Sequence, residues 1–385
     1  MKKRILSLII ALLMLALPAL ADTSDGPAVS DVALDLLGSS IHYPQITGMA
    51  DGALQSRVNA AIMEGGLIEQ RINRMALLMN SPVKLNVSYT CTLAGDVFSC
   101  AILADGAVET TRSTQEWRTV NINLATGEAI LFHALFTDEA AARELIEGIL
   151  LDEVAPEQSA HLAAGDLLPL PETFSLTHEG LTLHYPIDQF RTLSDKAGTV
   201  TILWTELRDV LDLSENSPLA SLNVADTITL DENDAREALA VAISGGSFPG
   251  VPAAIGQSVR ELTDRYAQLN DNEICEAGRI FYLEDGAFRR VYIITDQLTD
   301  GWNNSVVNIL RADRLNLCGL CTGYTTIEEW RAVLGQPDAT VTTDAAAAES
   351  WRIVPGVSDY YTLGDYRLRL HADEEGVLHS VFLMK

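Results

Sequence analysis

Positive charge is scarce in this sequence. Its 385 residues hold 26 Lys and Arg against 53 Asp and Glu, a formal net charge of −27. A surface of that sign repels phosphate, which excludes nucleic acid and anionic membranes as electrostatic partners. Motifs are scarce too. The stretch Gly245-Gly246-Ser247-Phe248-Pro249-Gly250 has neither the lysine of a phosphate-binding loop nor the spacing of a nucleophile elbow, and it reads as a loop. Cysteine is limited to five residues. Cys318-Gly319-Leu320-Cys321 has no second such pair and no nearby histidine pair, so a zinc site is not expected. Acidic runs such as Asp231-Glu232-Asn233-Asp234 lack the spacing and closing glutamate of a calcium loop. No cofactor is expected.

The N-terminus sets an address. Met1-Lys2-Lys3-Arg4 is basic, Ile5 to Leu17 is apolar but short for a membrane span, and Ala19-Leu20-Ala21 is a small-residue cleavage site. Residues 1–21 read as a bacterial secretory signal peptide, leaving a secreted or extracytoplasmic chain with no membrane segment. They carry three basic side chains and no acidic one, so cleavage takes the net charge from −27 to −30. Such a chain attracts cationic partners at low salt. Its length of roughly 360 residues suggests two domains.

Export makes disulfides admissible. A turn at Gly95-Asp96 pairs 94 with 97 and, outward, 91 with 100. Cys91 and Cys100 then oppose each other at a non-hydrogen-bonded site, where the Cα atoms approach closely enough for a bridge. Cys275, Cys318 and Cys321 remain, with a structural bridge involving Cys275 expected and one thiol left over.

Periodicity fills in the chain. Leu54, Val58 and Ile62 share one helical face with Asn59 beside them, and a second amphipathic helix runs from 67 to 79. Val120, Ile122 and Leu124 alternate as a strand, and Ala129 to Phe132 reads as its return. Thr137 is expected to cap a helix carrying Ala141, Leu145 and Ile149. The stretch from Phe174 to Leu213 is the best specified. Phe174 and Leu176, then Leu181, Leu183 and Tyr185, then Val200, Ile202 and Trp204 alternate as three strands, with a hairpin turn at Glu179-Gly180 and a closing helix through Leu207 and Leu211. Leu213 to Asn223, with Pro218, reads as a polar linker.

Three motifs in order carry a family resemblance: Tyr43-Pro44-Gln45-Ile46 ahead of the Asn59 helix; Asn121-Ile122-Asn123-Leu124 with Thr126-Gly127 and Leu135-Phe136; and Gly180-Leu181-Thr182-Leu183-His184-Tyr185-Pro186 with Val200-Thr201-Ile202. Residues 43–213 resemble the extracytoplasmic domain shared by RsiV-type lysozyme-binding anti-sigma factors and PdaC-type peptidoglycan deacetylases. The resemblance implies an α+β domain with an antiparallel sheet and transfers no catalytic residue. Only Met1 to Arg4 precede the apolar run, which argues against sigma-factor signalling. Phe190-Arg191-Thr192 departs from the family pattern, so lysozyme binding does not carry over directly.

The second half reads as a duplication. Ser258-Val259-Arg260-Glu261-Leu262 with Tyr266 matches Thr326-Ile327-Glu328-Glu329-Trp330 with Leu334, both as helix faces. Three strands are expected after each: Arg279–Leu283, Phe288–Thr295 and Val306–Arg311, then Trp351–Val354, Tyr360–Leu370 and Val377–Met384. Residues 254–385 resemble the tandem repeats of β-lactamase-inhibitor-like exported proteins, which implies a binding role.

The expected architecture is α+β: antiparallel sheets with packed helices in two domains, 30–214 and 226–385, the second a tandem helix-plus-three-strand duplication over 254–316 and 323–385. His178 with His184, and His371 with His379, flank turns but lack a third ligand for metal. Trp302, Tyr360 and Tyr361 are the candidate binding surface for a protein or glycan. The function expected is non-enzymatic binding in the cell envelope, of an extracytoplasmic protein (a lysozyme-like one among them) or of peptidoglycan. A cell-wall hydrolase, or an accessory subunit of one, is the alternative.

Overall fold

A computed structural model describes residues 26–106, 114–153, 170–185, 198–230, 234–251, 253–265, 270–275, 278–284, 290–295 and 305–385. The signal-peptide reading, Trp302 and most of the acidic run from Asp231 lie outside the described residues. The fold is α+β with antiparallel sheets. Among the described residues no helix is long and apolar enough to cross a membrane.

The first sheet has six strands: β1 (Ala28–Leu36), β2 (Ser39–Thr47), β3 (Leu85–Ala94), β4 (Val97–Gly106), β5 (Thr114–Asn123) and β6 (Glu128–Ala129), in sequence order. Leu37 and Gly38 both take positive φ, the requirement of a two-residue turn that matches strand twist. Only β2 and β3 run parallel, because two helices intervene. Asp51 caps the first, α1 (Gly52–Gly65), by accepting from the Ala53 and Leu54 amides. Val58 and Ile62 are its buried face. Asn59 fixes its register on β2, accepting from Ile46 N–H at 2.7 Å and donating to Ile46 C=O at 2.9 Å. The second helix, α2 (Ile68–Leu77), buries Ile68, Arg71 and Met75.

Strand β4 is covered on both sides. Phe98, Cys100 and Ile102 meet α1 and α2. The other face meets a three-stranded sheet, β7 (Phe174–Leu176), β8 (Gly180–His184) and β9 (Thr199–Leu203). Ser99 Oγ joins the two sheets, donating to Asn121 Oδ1 and accepting from Leu176 N–H, while Asn121 donates to Phe174 C=O. The helix α3 (Glu139–Glu153) starts on Asp138, whose carboxylate accepts from Ala140 and Ala141. The expected cap, Thr137, instead donates to Val210 C=O.

Three further expectations are corrected. Only Glu128–Ala129 pairs as a return strand, and Phe132–Leu135 is a 3-10 turn. The chain after β9 forms a 3-10 turn at Trp204–Leu207, pinned by Trp204 Nε1–H to Thr177 C=O at 2.9 Å. Residues 213–223 are no free linker: the short helices α4 (Pro218–Ser221) and α5 (Val224–Thr227) bury Leu219, Leu222 and Val224 against the three-stranded sheet.

The second large sheet has eight strands. In order they are β10 (Asn270–Cys275), β11 (Gly278–Glu284), β12 (Arg290–Thr295), β13 (Ile309–Ala312), β19 (Leu378–Met384), β18 (Tyr366–Ala372), β17 (Gly356–Leu363) and β16 (Ala339–Thr343). The order is symmetric about the central β13–β19 pair. Each half opens on a helix and carries four strands, one more strand than expected. The helices are α7 (Val259–Arg265) and α8 (Ile327–Leu334), and the residue before each makes an isolated bridge, Ser258 to Val306 and Thr326 to Val377. Trp351 ends a helix, α9 (Ala345–Trp351), where a strand was expected. The run 360–370 is two strands folded at Gly364-Asp365. The core of this unit lies on one face of the sheet, with α6 (Ala235–Ala242), α7 and α8 packed on it.

Candidate functional site

Register across the eight-stranded sheet brings one row of side chains together. Tyr282 faces Tyr292, Tyr292 faces Arg311, Arg311 faces Phe382, Phe382 faces Arg369, and Arg369 faces Tyr360. All six lie on the face away from the core, because period two alternates them with Phe281, Ile293, Leu310, Leu383, Leu368 and Tyr361. The result is a ladder in which rings and guanidinium groups alternate from Tyr292 to Tyr360, with Tyr282 as an outer ring. Arg311 Cζ lies 3.7 Å from the Tyr292 ring centroid and Arg369 Cζ 4.4 Å from that of Phe382. Arg369 is also 5.8 Å from the Tyr360 ring and 5.1 Å from Trp351, and Arg367 sits 4.4 Å over Tyr360. The Tyr282 and Tyr292 rings are 6.0 Å apart. Each such contact stabilises through the negative ring face, more so once desolvated.

The middle of the ladder is closed and its ends are open. Trp351 of α9 packs edge-on to Phe382 at 6.1 Å. Arg311 donates to Asp313 through Nε and Nη2, and through Nη1 to the carbonyls of Trp351 and Arg352. Arg311, Phe382 and Arg369 are buried, whereas Tyr282, Tyr292 and Tyr360 are half-buried. The sheet therefore offers aromatic edges on either side of a sealed cationic centre.

Beside the ladder runs a hydrogen-bond chain. Arg369 Nε donates to Ser358 Oγ at 2.9 Å, which lies 2.9 Å from His371 Nδ1, and His371 Nε2 lies 2.9 Å from Val354 C=O. Donation to that carbonyl places the proton on Nε2, so Ser358 donates to Nδ1. Burial pushes the His371 pKa down to about 4. A second serine–histidine pair, Ser175 with His184 at 2.8 Å, lies inside the first unit, and burial pushes His184 down to about 3. Both pairs are buried, Ser358 and His371 wholly. They hold structure rather than face a substrate.

The expected site residues fall in different places. Tyr360 is a rung of the ladder. Tyr361 is not on that surface: it is fully buried in the core, with its hydroxyl donating to Gly335 C=O. Strand alternation separates the two neighbours. Cys91 and Cys100 are register partners as expected, but both are free thiols. Cys318 and Cys321 are free as well, so the structure contains no bridge from either to Cys275. Cys318 and Gly319 form the positive-φ turn between two short strands, β14 (Asn316–Leu317) and β15 (Leu320–Cys321). Cys321 points inward, with Sγ donating to Gly319 C=O, and its thiol pKa is pushed up to about 12, mainly by burial. Cys275 ends β10 opposite Gly278. His178 is exposed while His184 is buried, so that pair does not converge. Among the described residues no group of three or more His, Cys, Asp or Glu could hold a metal ion.

No family model and no curated protein matches this chain. Solved structures do. A DUF3298 family member from Bacteroides fragilis NCTC 9343 is 12% identical, with 51% of this chain and 95% of that one covered at a TM-score of 0.35. A DUF3298 family protein from Pseudomonas aeruginosa PAO1 is 8% identical, covering 49% and 93% at a TM-score of 0.36. The DUF4309 family protein YjgB from Bacillus subtilis subsp. subtilis str. 168 is 15% identical, covering 39% and 94% at a TM-score of 0.28.

Proposed function

We propose that this chain is an exported binding protein of the bacterial envelope whose partner is a cationic extracytoplasmic protein. One observation carries the reading. Four of its scarce cations, Arg71, Arg311, Arg314 and Arg369, are buried, whereas Asp359 is the one buried carboxylate among the described residues. The outer surface is thus more acidic than the net charge of −27 suggests. An anionic surface raises the encounter rate with basic proteins. The half-buried tyrosines at the ends of the ladder supply the rigid aromatic area on which an interface or a glycan settles. In an oxidising compartment the opposed thiols of Cys91 and Cys100 close into a bridge.

The test is a pull-down with the mature protein against lysozyme, against insoluble peptidoglycan and against a neutral control protein, at low and moderate salt. Retention of the basic protein at moderate salt, weakened by Tyr360→Ala, is the expected result. Loss of all binding on adding modest salt would reduce the interaction to bulk charge attraction. Retention on peptidoglycan alone would make glycan the partner.

A further inference from the structure

The four buried arginines are not equivalent. Arg311 is saturated by Asp313 and two carbonyls, Arg314 by Glu206, and Arg369 donates to Ser358. Arg71 is 4% exposed, yet Nε, Nη1 and Nη2 all lack a hydrogen-bond partner. Its nearest anion is Glu116, with Nη2 to Oε2 at 3.6 Å. Glu116 is already engaged: its Oε1 takes Arg118 Nε at 2.8 Å and Nη2 at 2.5 Å. A buried guanidinium with one long ion pair and no hydrogen bond is a costly arrangement, and proteins avoid it unless something else completes the site.

What surrounds Arg71 is a recess. Leu67, Gln70, Arg71, Arg74, Leu85 and Glu116 line a small, partly open space of about 60 Å³ where α2 crosses the starts of β3 and β5. Two arginines, 71 and 74, line the recess with one carboxylate, Glu116, so its lining is cationic by formal charge on an acidic protein. Burial lowers the Arg71 pKa only to about 10, which leaves it charged at neutral pH. Leu67 and Leu85 supply apolar wall.

We propose that this recess binds the carboxylate group of a small ligand, with Arg71 as the principal donor. A guanidinium presents two parallel N–H groups that match the two oxygens of a carboxylate. Gln70 stands on the same helix as a further polar group, and Glu116 excludes a second negative charge. The site is independent of the aromatic ladder and of the proposed partner protein.

The test uses the whole mature chain and acetate as the probe, titrated against sodium chloride at matched ionic strength. A saturable rise in melting temperature with acetate, beyond the chloride control, is expected because ligand binding to the folded state stabilises it. Arg71→Met should fold, since it replaces an unsatisfied ion by an apolar chain of similar length, and should abolish the saturable rise. Glu116→Gln removes the competing carboxylate and should tighten the apparent affinity several-fold. Equal responses to acetate and chloride, an unchanged acetate response in Arg71→Met, or weaker binding in Glu116→Gln would each overturn the assignment.

Discussion

Arg314 and Glu206, 108 residues apart, form a two-point ion pair, Nε to Oε1 at 2.7 Å and Nη2 to Oε2 at 2.6 Å. Both side chains are largely buried, at 8% and 13% exposure. Oε2 also accepts from Leu203 N–H at 2.7 Å, so the same carboxylate caps the turn after β9. The pair ties the three-stranded sheet of the first unit to the strand end beyond β13 in the second. Replacing Arg314 by Met leaves a buried carboxylate without its counter-ion and should cost about 3–5 kcal/mol in urea unfolding. Adding Glu206→Gln should recover part of that loss, and a double-mutant cycle measures the coupling.

Asp359 is a second buried hub. It accepts from Arg331 Nε and Nη2, from Trp330 Nε1 and from Thr340 Oγ1. Burial pushes its pKa up, but the Arg331, Thr340 and Trp330 hydrogen bonds outweigh that and hold it below the ordinary carboxylate value. The native state therefore binds fewer protons than the unfolded chain, and this stability is lost as pH falls below about 4. Asp359→Asn should cost about 3 kcal/mol at neutral pH and flatten the acid limb of the melting curve.

His184 and His371 move stability at milder acidity. Their native pKa values of about 3 and about 4 lie below the ordinary 6.5. As pH drops through 6.5 the unfolded chain takes up protons first, so stability is full above that value and declines below it. Each histidine should contribute a slope on the order of 1.4 kcal/mol per pH unit across its window. Thermal melts between pH 7 and 4.5 should show a shallower decline for His184→Gln than for the parent chain.

Cys91 and Cys100 should close under mild oxidation. Antiparallel partners at a non-hydrogen-bonded site bring their Cα atoms to about 4.5 Å, within the range of a disulfide. Burial pushes both thiols up, Cys100 the more strongly, so closure should be slow at neutral pH and faster in alkali. A thiol count before and after oxidation, with Cys91→Ser as the control, reads it directly. Closing this ten-residue hairpin should add about 2–3 kcal/mol.

Local features were legible in the chain. The Asn59 helix and the Gly95-Asp96 turn with its pairing down to Cys91 and Cys100 all rest on residues close in sequence. The ladder was hidden because its rungs come from strands far apart: Arg311 meets Phe382 only through the β13–β19 register. Tyr360 and Tyr361 looked alike until strand alternation sent one outward and the other into the core. Strand β16 was missed because it is a mostly exposed edge with little apolar signal. Arg71 gave no sign in sequence, since an arginine in an amphipathic helix usually marks the solvent side.

The β13–β19 pairing has a consequence for how the molecule comes to exist. Synthesis makes β13 long before β19, yet the two sit side by side at the middle of the sheet. Until β19 arrives, β13 offers an open row of unpaired amides and carbonyls to any passing strand. The sheet must close late, over a high contact order.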